Sequence, residues 1–128
     1  MIDDKSKSEV DQFILQQIDS VPHLEALLLI WNGRPKRWSV EEMSKALYVR
    51  PDVAEKVLEG LAQRSLITHA TDDPEAYIYP TDSEEKTKLM EKVDWIYRRE
   101  LVRVAGLIHS KASAAVLDFA RAFRFKKD

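Results

Sequence analysis

The feature that most constrains the fold is the stretch of residues 39–67, SVEEMSKALYVRPDVAEKVLEGLAQRSLI. Ser39 and Glu42 have the spacing of a capping box, in which each side chain satisfies a backbone N–H near the other, so a helix begins there. Pro51 suits the first turn of a second helix, where its missing N–H costs no hydrogen bond. The residues YVR stand between the two. The stretch therefore predicts two short helices joined by a tight turn.

Further helices and a hairpin are predicted on either side of this pair. Residues 22–32, PHLEALLLIWN, are apolar around most of a helical circumference, which is typical of a helix at the centre of a core. A short amphipathic helix precedes it, from about Lys7 to Asp19. After the pair, the β-rich runs LITHA and AYIYP are separated by the turn-forming residues TDDPE. These runs predict a β-hairpin.

This order of three helices and a hairpin resembles the winged helix-turn-helix superfamily, over about residues 22–80, or half of the chain. In that pattern the second helix usually reads xxLAxxLG. It is followed by a short turn, the recognition helix, the sequence LxxxGLI and then the wing. Tyr48 and Ser65 stand where glycine is common. The corresponding positions are Met43, Ser44, Leu47, Tyr48, Leu61, Ser65, Leu66 and Ile67. The resemblance is to the superfamily, and it implies a DNA-binding module.

The predicted fold class is mainly α with a small β-hairpin, arranged as a winged helix domain plus a long C-terminal helix. We expect an N-terminal tail and short helix over residues 1–20 and the winged helix-turn-helix domain over residues 21–82. Residues 83–128 are expected to form a dimerisation helix and a short terminal helix.

A long helix is predicted from Asp82 or Ser83 to about His109. At 1.5 Å per residue it spans about 40 Å, whereas a body of roughly 60 residues is only about 27 Å across. Part of the helix must project, and its apolar residues then need cover. A second copy of the chain can supply this cover, and packing of the helix against its own domain is the alternative. Both can occur together if they use different faces of the helix. We expect a homodimer, with one stripe facing the partner copy: Met90, Val93, Tyr97, Leu101, Val104 and Ile108.

A last narrow apolar stripe is formed by Val116, Phe119, Ala120 and Phe123, beside basic residues in RAFRFKK. We expect this short helix to fold onto the dimer, where its C-terminal cations complement the helix dipole. A helix lying on a membrane surface is the alternative.

The charge of the chain is unevenly distributed, although the net charge is only −2. Residues 37–82 hold five basic and nine acidic side chains, while residues 83–128 hold eleven basic and seven acidic. The part that should face DNA is therefore the most acidic, although phosphate contacts require Lys and Arg. The wing tip offers Asp72, Asp73 and Glu75 and no cation. The residues expected to contact DNA are Arg34, Lys36, Arg37, Lys45, Arg50, Lys56 and Gln63.

Two functions are therefore compared. The first is a transcriptional regulator that binds duplex DNA as a winged-helix dimer, with Arg50 and Lys56 at the groove and two reading helices about 34 Å apart. The alternative is a protein–protein interaction adaptor whose acidic face docks a basic partner, without DNA binding.

The residues give no support to enzymatic or metal chemistry. The chain has no cysteine, and its three histidines lie on three different predicted elements. Three glycines cannot build a phosphate-cradling loop, and no Gly-x-Ser-x-Gly elbow occurs. We expect no catalytic residue, no metal and no cofactor. The polar start and the longest apolar run, ALLLIW, predict neither a signal peptide nor a membrane span of roughly 20 residues, and hence a cytoplasmic protein.

Overall fold

The computed structural model describes residues 3–111. Its elements in chain order are α1 (Asp4–Gln17), α2 (Val21–Asn32), α3 (Val40–Leu47), α4 (Pro51–Gln63), β1 (Thr68–Ala70), β2 (Asp73–Ile78) and α5 (Glu84–Arg99). Residues 101–111 are also helical and form α6. The predicted class, mainly α with a small hairpin, is confirmed. The predicted terminal helix with Val116, Phe119, Ala120 and Phe123 lies outside the described residues.

The two helices of the helix-turn-helix begin at local signals, a capping box at α3 and a proline at α4, where no side chain caps the first turn. The backbone N–H of Glu42 donates to Ser39 Oγ at 3.1 Å, and the N–H of Ser39 donates to Glu42 Oε1 at 3.2 Å. The predicted capping box at α3 is thereby confirmed, and such a cap contributes about 1 kcal/mol. Pro51 is the first residue of α4, also as predicted.

The turn between α3 and α4 depends on a residue in the left-handed conformation. Tyr48 has φ 57° and ψ 43°, and its side chain is 95% exposed. The hydroxyl of Ser44 donates to the carbonyl of Val49 at 2.6 Å and ties the turn to α3. Ser65, after α4, has φ 61°. Within residues 3–111 Tyr48 and Ser65 are the two non-glycine residues with positive φ, and they occupy the two positions where the superfamily pattern usually has glycine.

The wing is an antiparallel pair of β1 and β2, as predicted. His69 lies opposite Tyr77, and the register shifts directly after His69. Trp38 adds a third partner, because it exchanges backbone hydrogen bonds of 2.8 and 2.9 Å with Tyr77. The turn is shorter than predicted, since residues 73–75 belong to β2 and not to the loop.

The centre of the core is α2, which agrees with its all-round apolarity. It packs against α3, α4 and α5, and its Leu24, Leu27 and Ile30 are fully buried. Burying one such side chain contributes roughly 1.5–3 kcal/mol. α1 packs against α5 and adds Val10 and Ile14 to the same core. The helix-turn-helix and the C-terminal helices thus share one hydrophobic cluster.

The C-terminal helix is interrupted at Glu100, which differs from the single helix predicted to about His109. Glu100 has φ −128° and ψ 43° and ends α5, while its carbonyl accepts the first hydrogen bond of α6, from Val104. Its carboxylate lies 2.9 Å from Lys7 Nζ and 2.6 Å from Arg103 Nε. The interruption is therefore also a point of attachment to α1.

The stripe assigned to the dimer contact largely faces the core of its own chain. Met90, Val93, Val104 and Ile108 are at most 3% exposed, so these four side chains lie in the core of their own chain, and the dimer contact stays a prediction. α1 and α2 pack against α5, which carries Met90 and Val93, and Val104 and Ile108 of α6 belong to the same hydrophobic cluster. Two members of the stripe do reach solvent, namely Leu101 (51% exposed) and Tyr97 (partly exposed), and Trp95 (38%) and Val102 (82%) are exposed beside them.

Candidate nucleic-acid interface

α4 presents one face to solvent along its whole length. Its buried side is formed by Ala54, Val57, Leu58 and Leu61. The exposed side carries one cation, Lys56, and ends with Gln63. It also carries three carboxylates: Asp52, Glu55 and Glu59. A phosphate backbone lying along α4 would therefore be attracted at one position and repelled at three.

All seven residues predicted to contact DNA are exposed: Arg34, Lys36, Arg37, Lys45, Arg50, Lys56 and Gln63. They lie on three parts of the chain, namely the loop after α2, α3, and α4 with its N-cap. Arg50 is 83% exposed and lies 3.2 Å from Asp52, a pairing that solvent makes weak. Lys45 and Lys56 form no ion pair within residues 3–111.

Arg34 and Lys36, two of the predicted contacts, interact with tryptophan rings of their own chain. Arg34 Nε donates to the carbonyl of Trp31 at 2.6 Å, and its guanidinium lies 4.4 Å from the centroid of the Trp31 ring. Lys36 Nζ lies 3.1 Å from Glu42 and 4.1 Å from the centroid of the Trp38 ring. The hydrogen bond from Lys36, and then that from the Ser39 backbone, lowers the pKa of Glu42. Arg34 is held in place, and Lys36 is paired with a carboxylate. Both side chains therefore attract a phosphate less than a free cation would.

A salt bridge connects the loop before α3 to the wing. Arg37 Nη1 lies 2.6 Å from Asp72 Oδ1, and this hydrogen bond is the main reason that the pKa of Asp72 is lowered. Both side chains are more than half exposed, so the pair adds little to stability. It does bring a cation to the wing tip, whose own charged side chains are all acidic.

Arg64, which follows α4, is held by α1. Its Nη1 donates to the carbonyl of Gln16 at 2.8 Å, and its Nη2 donates to Asp19 at 2.9 Å. Lys111 of α6 donates to the carbonyl of Ile18 at 3.1 Å and lies 3.9 Å from the same Asp19 carboxylate. The corner between α1 and α2 thus holds the C-terminal end of α4 and part of α6.

His23 fixes the spacing between α2 and α4. Its Nδ1 lies 2.6 Å from Ser20 Oγ. A Cβ at Gly60 of α4 would lie 3.2 Å from its Nε2, so the absence of a side chain there allows the close approach. Burial lowers the pKa of His23, although Asp19 acts in the opposite direction. The ring is therefore favoured in its neutral form in the folded protein.

Neither a metal site nor a single membrane-spanning helix is found in the part of the chain that the structure describes. Among residues 3–111 no three or more His, Asp or Glu side chains form a group that could hold a metal ion. In that same part of the chain no single helix is both long and apolar enough to cross a membrane, and α1 with α2 meets those criteria only as a pair bent by 116°.

The chain is similar in structure to several solved proteins. No protein-family model and no curated protein sequence matches the chain. Among solved structures it is similar to MepR, a transcription regulator of the Staphylococcus aureus multidrug efflux pump MepA, with TM-score 0.54, 17% identity and coverage of 94% of this chain and 89% of that one. A MarR family protein from Bacillus stearothermophilus has TM-score 0.51, 17% identity and coverage of 96% and 83%. A MepR variant from S. aureus bound to an oligodeoxyribonucleotide has TM-score 0.50, 13% identity and coverage of 93% and 90%.

At these identities the likeness concerns the fold alone. The matched length includes the C-terminal helices as well as the helix-turn-helix and wing, because each comparison covers more than nine-tenths of the chain. The chain therefore has a winged helix-turn-helix fold similar to that of MarR-family transcription regulators.

Proposed function

We propose that this protein is a transcriptional regulator that binds duplex DNA as a homodimer through its winged helix-turn-helix. The observation that carries the proposal is the fold it shares with MepR, a transcription regulator of which one variant is bound to an oligodeoxyribonucleotide. Because one fold can serve several functions, the residues of this chain have to supply the contacts.

In this proposal α4 enters the major groove. Lys56 and Gln63 lie on its exposed face, within reach of bases or of the backbone that flanks the groove. Arg50 at the N-cap of α4 contacts a phosphate once it leaves Asp52. The remaining predicted cations contact phosphates around the groove: Arg34, Lys36, Arg37 and Lys45.

The acidic side chains of α4 oppose this binding, so the affinity depends on few cations and on the presence of two copies. Each neutralised phosphate adds roughly 0.9 to the slope of log K against log salt. A dimer doubles the number of contacts, and its binding is expected to fall steeply with salt.

Fluorescence anisotropy with a labelled, mixed-sequence duplex tests the proposal at about 20 mM and then at about 150 mM salt. The attraction between cations and phosphates is screened much more strongly at the higher salt concentration. Binding is expected at the lower salt. Lys56→Gln should weaken it and reduce the salt slope by about 2, one for each copy. Lys88→Gln is the matched control, because Lys88 is exposed on α5 and has no ion pair within residues 3–111. Absence of binding at low salt, or an equal loss in both variants, contradicts the proposal.

Dimerisation is proposed to use the exposed apolar surface of α5 and α6. Trp95, Leu101 and Val102 form that surface, and covering them would remove apolar area from water. Light scattering at micromolar concentration is expected to give the mass of a dimer, and Leu101→Glu with Val102→Glu the mass of a monomer. Val53→Glu, an exposed apolar position on α4, is the control and should remain dimeric. A monomeric wild-type protein removes this part of the proposal.

A further inference from the structure

Tyr48 is a bulky residue at a backbone position that favours glycine. Its φ of 57° and ψ of 43° lie in the left-handed region, where a residue with a Cβ is strained and glycine is not. The side chain gives no compensation within the fold, because it is 95% exposed and packs against almost nothing of its own chain. Strained residues cluster at binding and catalytic sites. The fold alone therefore does not account for a tyrosine at this position.

The backbone on either side of Tyr48 is held in place. The hydroxyl of Ser44 donates to the carbonyl of Val49 at 2.6 Å, and the N–H of Val49 donates to the carbonyl of Ser44 at 3.1 Å. These bonds close the turn around Tyr48 and fix the direction in which its side chain leaves the backbone. An exposed group on a fixed backbone loses less freedom when it meets a ligand than one on a mobile loop.

The turn that carries Tyr48 is the part of the helix-turn-helix surface with an excess of positive charge. Residues 45–50, KALYVR, contain Lys45 and Arg50 and no carboxylate. Both cations are exposed, and the side chain of Arg50 is 83% exposed. The acidic side chains lie in the segments before and after the turn: Glu41, Glu42, Asp52, Glu55 and Glu59. A phosphate that approaches the helix-turn-helix is therefore repelled least beside Tyr48.

A phenol suits a DNA backbone in two ways. Its hydroxyl donates a hydrogen bond, and tyrosine is among the side chains that bind phosphate oxygens and sugars. Its ring is a rigid apolar surface that can pack against a deoxyribose. Unlike lysine or arginine it adds no positive charge and displaces no counterion, so its contribution to binding is independent of salt.

We propose that Tyr48 contacts the DNA backbone, with its hydroxyl donating a hydrogen bond to a phosphate oxygen beside the phosphates bound by Lys45 and Arg50. This inference rests on the proposed function, because it requires duplex DNA as the ligand. It also explains the strained backbone, since glycine would stabilise the turn but would offer DNA no contact.

Tyr48→Phe removes the hydroxyl and keeps the ring, and fluorescence anisotropy with the labelled duplex measures the effect. The Kd is expected to rise about fivefold or more, because each copy of the dimer loses one hydrogen bond. The slope of log K against log salt should stay unchanged, since no charge is lost. Lys56→Gln, by contrast, should reduce that slope.

Tyr48→Gly should move stability and binding in opposite directions. It is expected to raise Tm and yet to bind the duplex less tightly than Tyr48→Phe, because the ring contact is lost as well. Ser65→Gly is the matched control, since it relieves a left-handed φ of 61° after the other end of α4. Its Kd should equal that of the wild-type protein.

Equal binding of the duplex by Tyr48→Phe and the wild-type protein overturns the inference and leaves the proposed function intact. A loss of binding that Ser65→Gly matches, or a reduced salt slope in Tyr48→Phe, overturns it in the same way. A wild-type protein that does not bind the duplex even at about 20 mM salt overturns the proposed function, and the inference fails with it.

Discussion

Replacing Tyr48 with glycine is expected to stabilise the protein. Tyr48 has φ 57° and ψ 43°, a conformation that costs a residue with a side chain about 1–2 kcal/mol and glycine nothing. Glycine returns about 0.4–1 kcal/mol of this through the greater freedom of the unfolded chain. The side chain is 95% exposed, so its removal loses little packing. The difference of the two ranges is about 0–1.6 kcal/mol, with a midpoint of about 0.8 kcal/mol, which corresponds to roughly 3 °C in Tm.

Urea unfolding followed by tryptophan fluorescence measures this free energy of unfolding, and a thermal melt followed by circular dichroism measures Tm. Tyr48→Ala is the matched control, because it removes the same aromatic ring but keeps a Cβ in the left-handed region. It is expected to unfold with nearly the wild-type free energy. If alanine stabilises as much as glycine, the ring and not the backbone is responsible. If glycine destabilises the protein, the reasoning from backbone strain is refuted.

Three further predictions concern α2, α3 and α4. Gly60→Ala should bring no stabilisation in the wild-type background, although alanine is favoured over glycine in a helix by about 1 kcal/mol, because its Cβ would lie 3.2 Å from His23 Nε2. In a His23→Ala background the gain should reappear, and urea unfolding of the four proteins measures this coupling; additive effects would contradict it. The pKa of His23 is lowered from 6.5, so the unfolded state binds more protons between the folded pKa and 6.5. Stability should therefore fall as the pH drops below about 6.5, and His23→Gln should flatten that part of the profile in urea melts. Ser44→Ala removes the hydrogen bond to the Val49 carbonyl and should lower the free energy of unfolding by about 1 kcal/mol, whereas an unchanged value would mean that water replaces the hydroxyl.

The helix-turn-helix and the wing could be predicted because their signals are local. The capping box of Ser39 and Glu42 acts over three residues, and Pro51 restricts its own backbone. The left-handed conformation of Tyr48 and Ser65 was not predicted, although both stand where the superfamily pattern usually has glycine.

The interruption at Glu100 could not be predicted, because it depends on contacts between distant parts of the chain. Lys7 of α1 contributes one of the two cations that hold its carboxylate. The burial of the apolar stripe in its own chain could not be predicted for the same reason. A periodic pattern shows that Met90 and Val104 share an apolar side, but it does not show whether α1 or a second chain covers that side.

The Asp19 carboxylate connects two regions of the surface. One carboxylate serves Arg64, which follows the helix proposed to read DNA, and Lys111, which belongs to the C-terminal region. Each contact is partly exposed and weak on its own, but two cations that share one anion are not independent. Removing the Asp19 carboxylate would therefore take an ionic partner from both cations at once, and both contacts weaken together as the salt concentration rises.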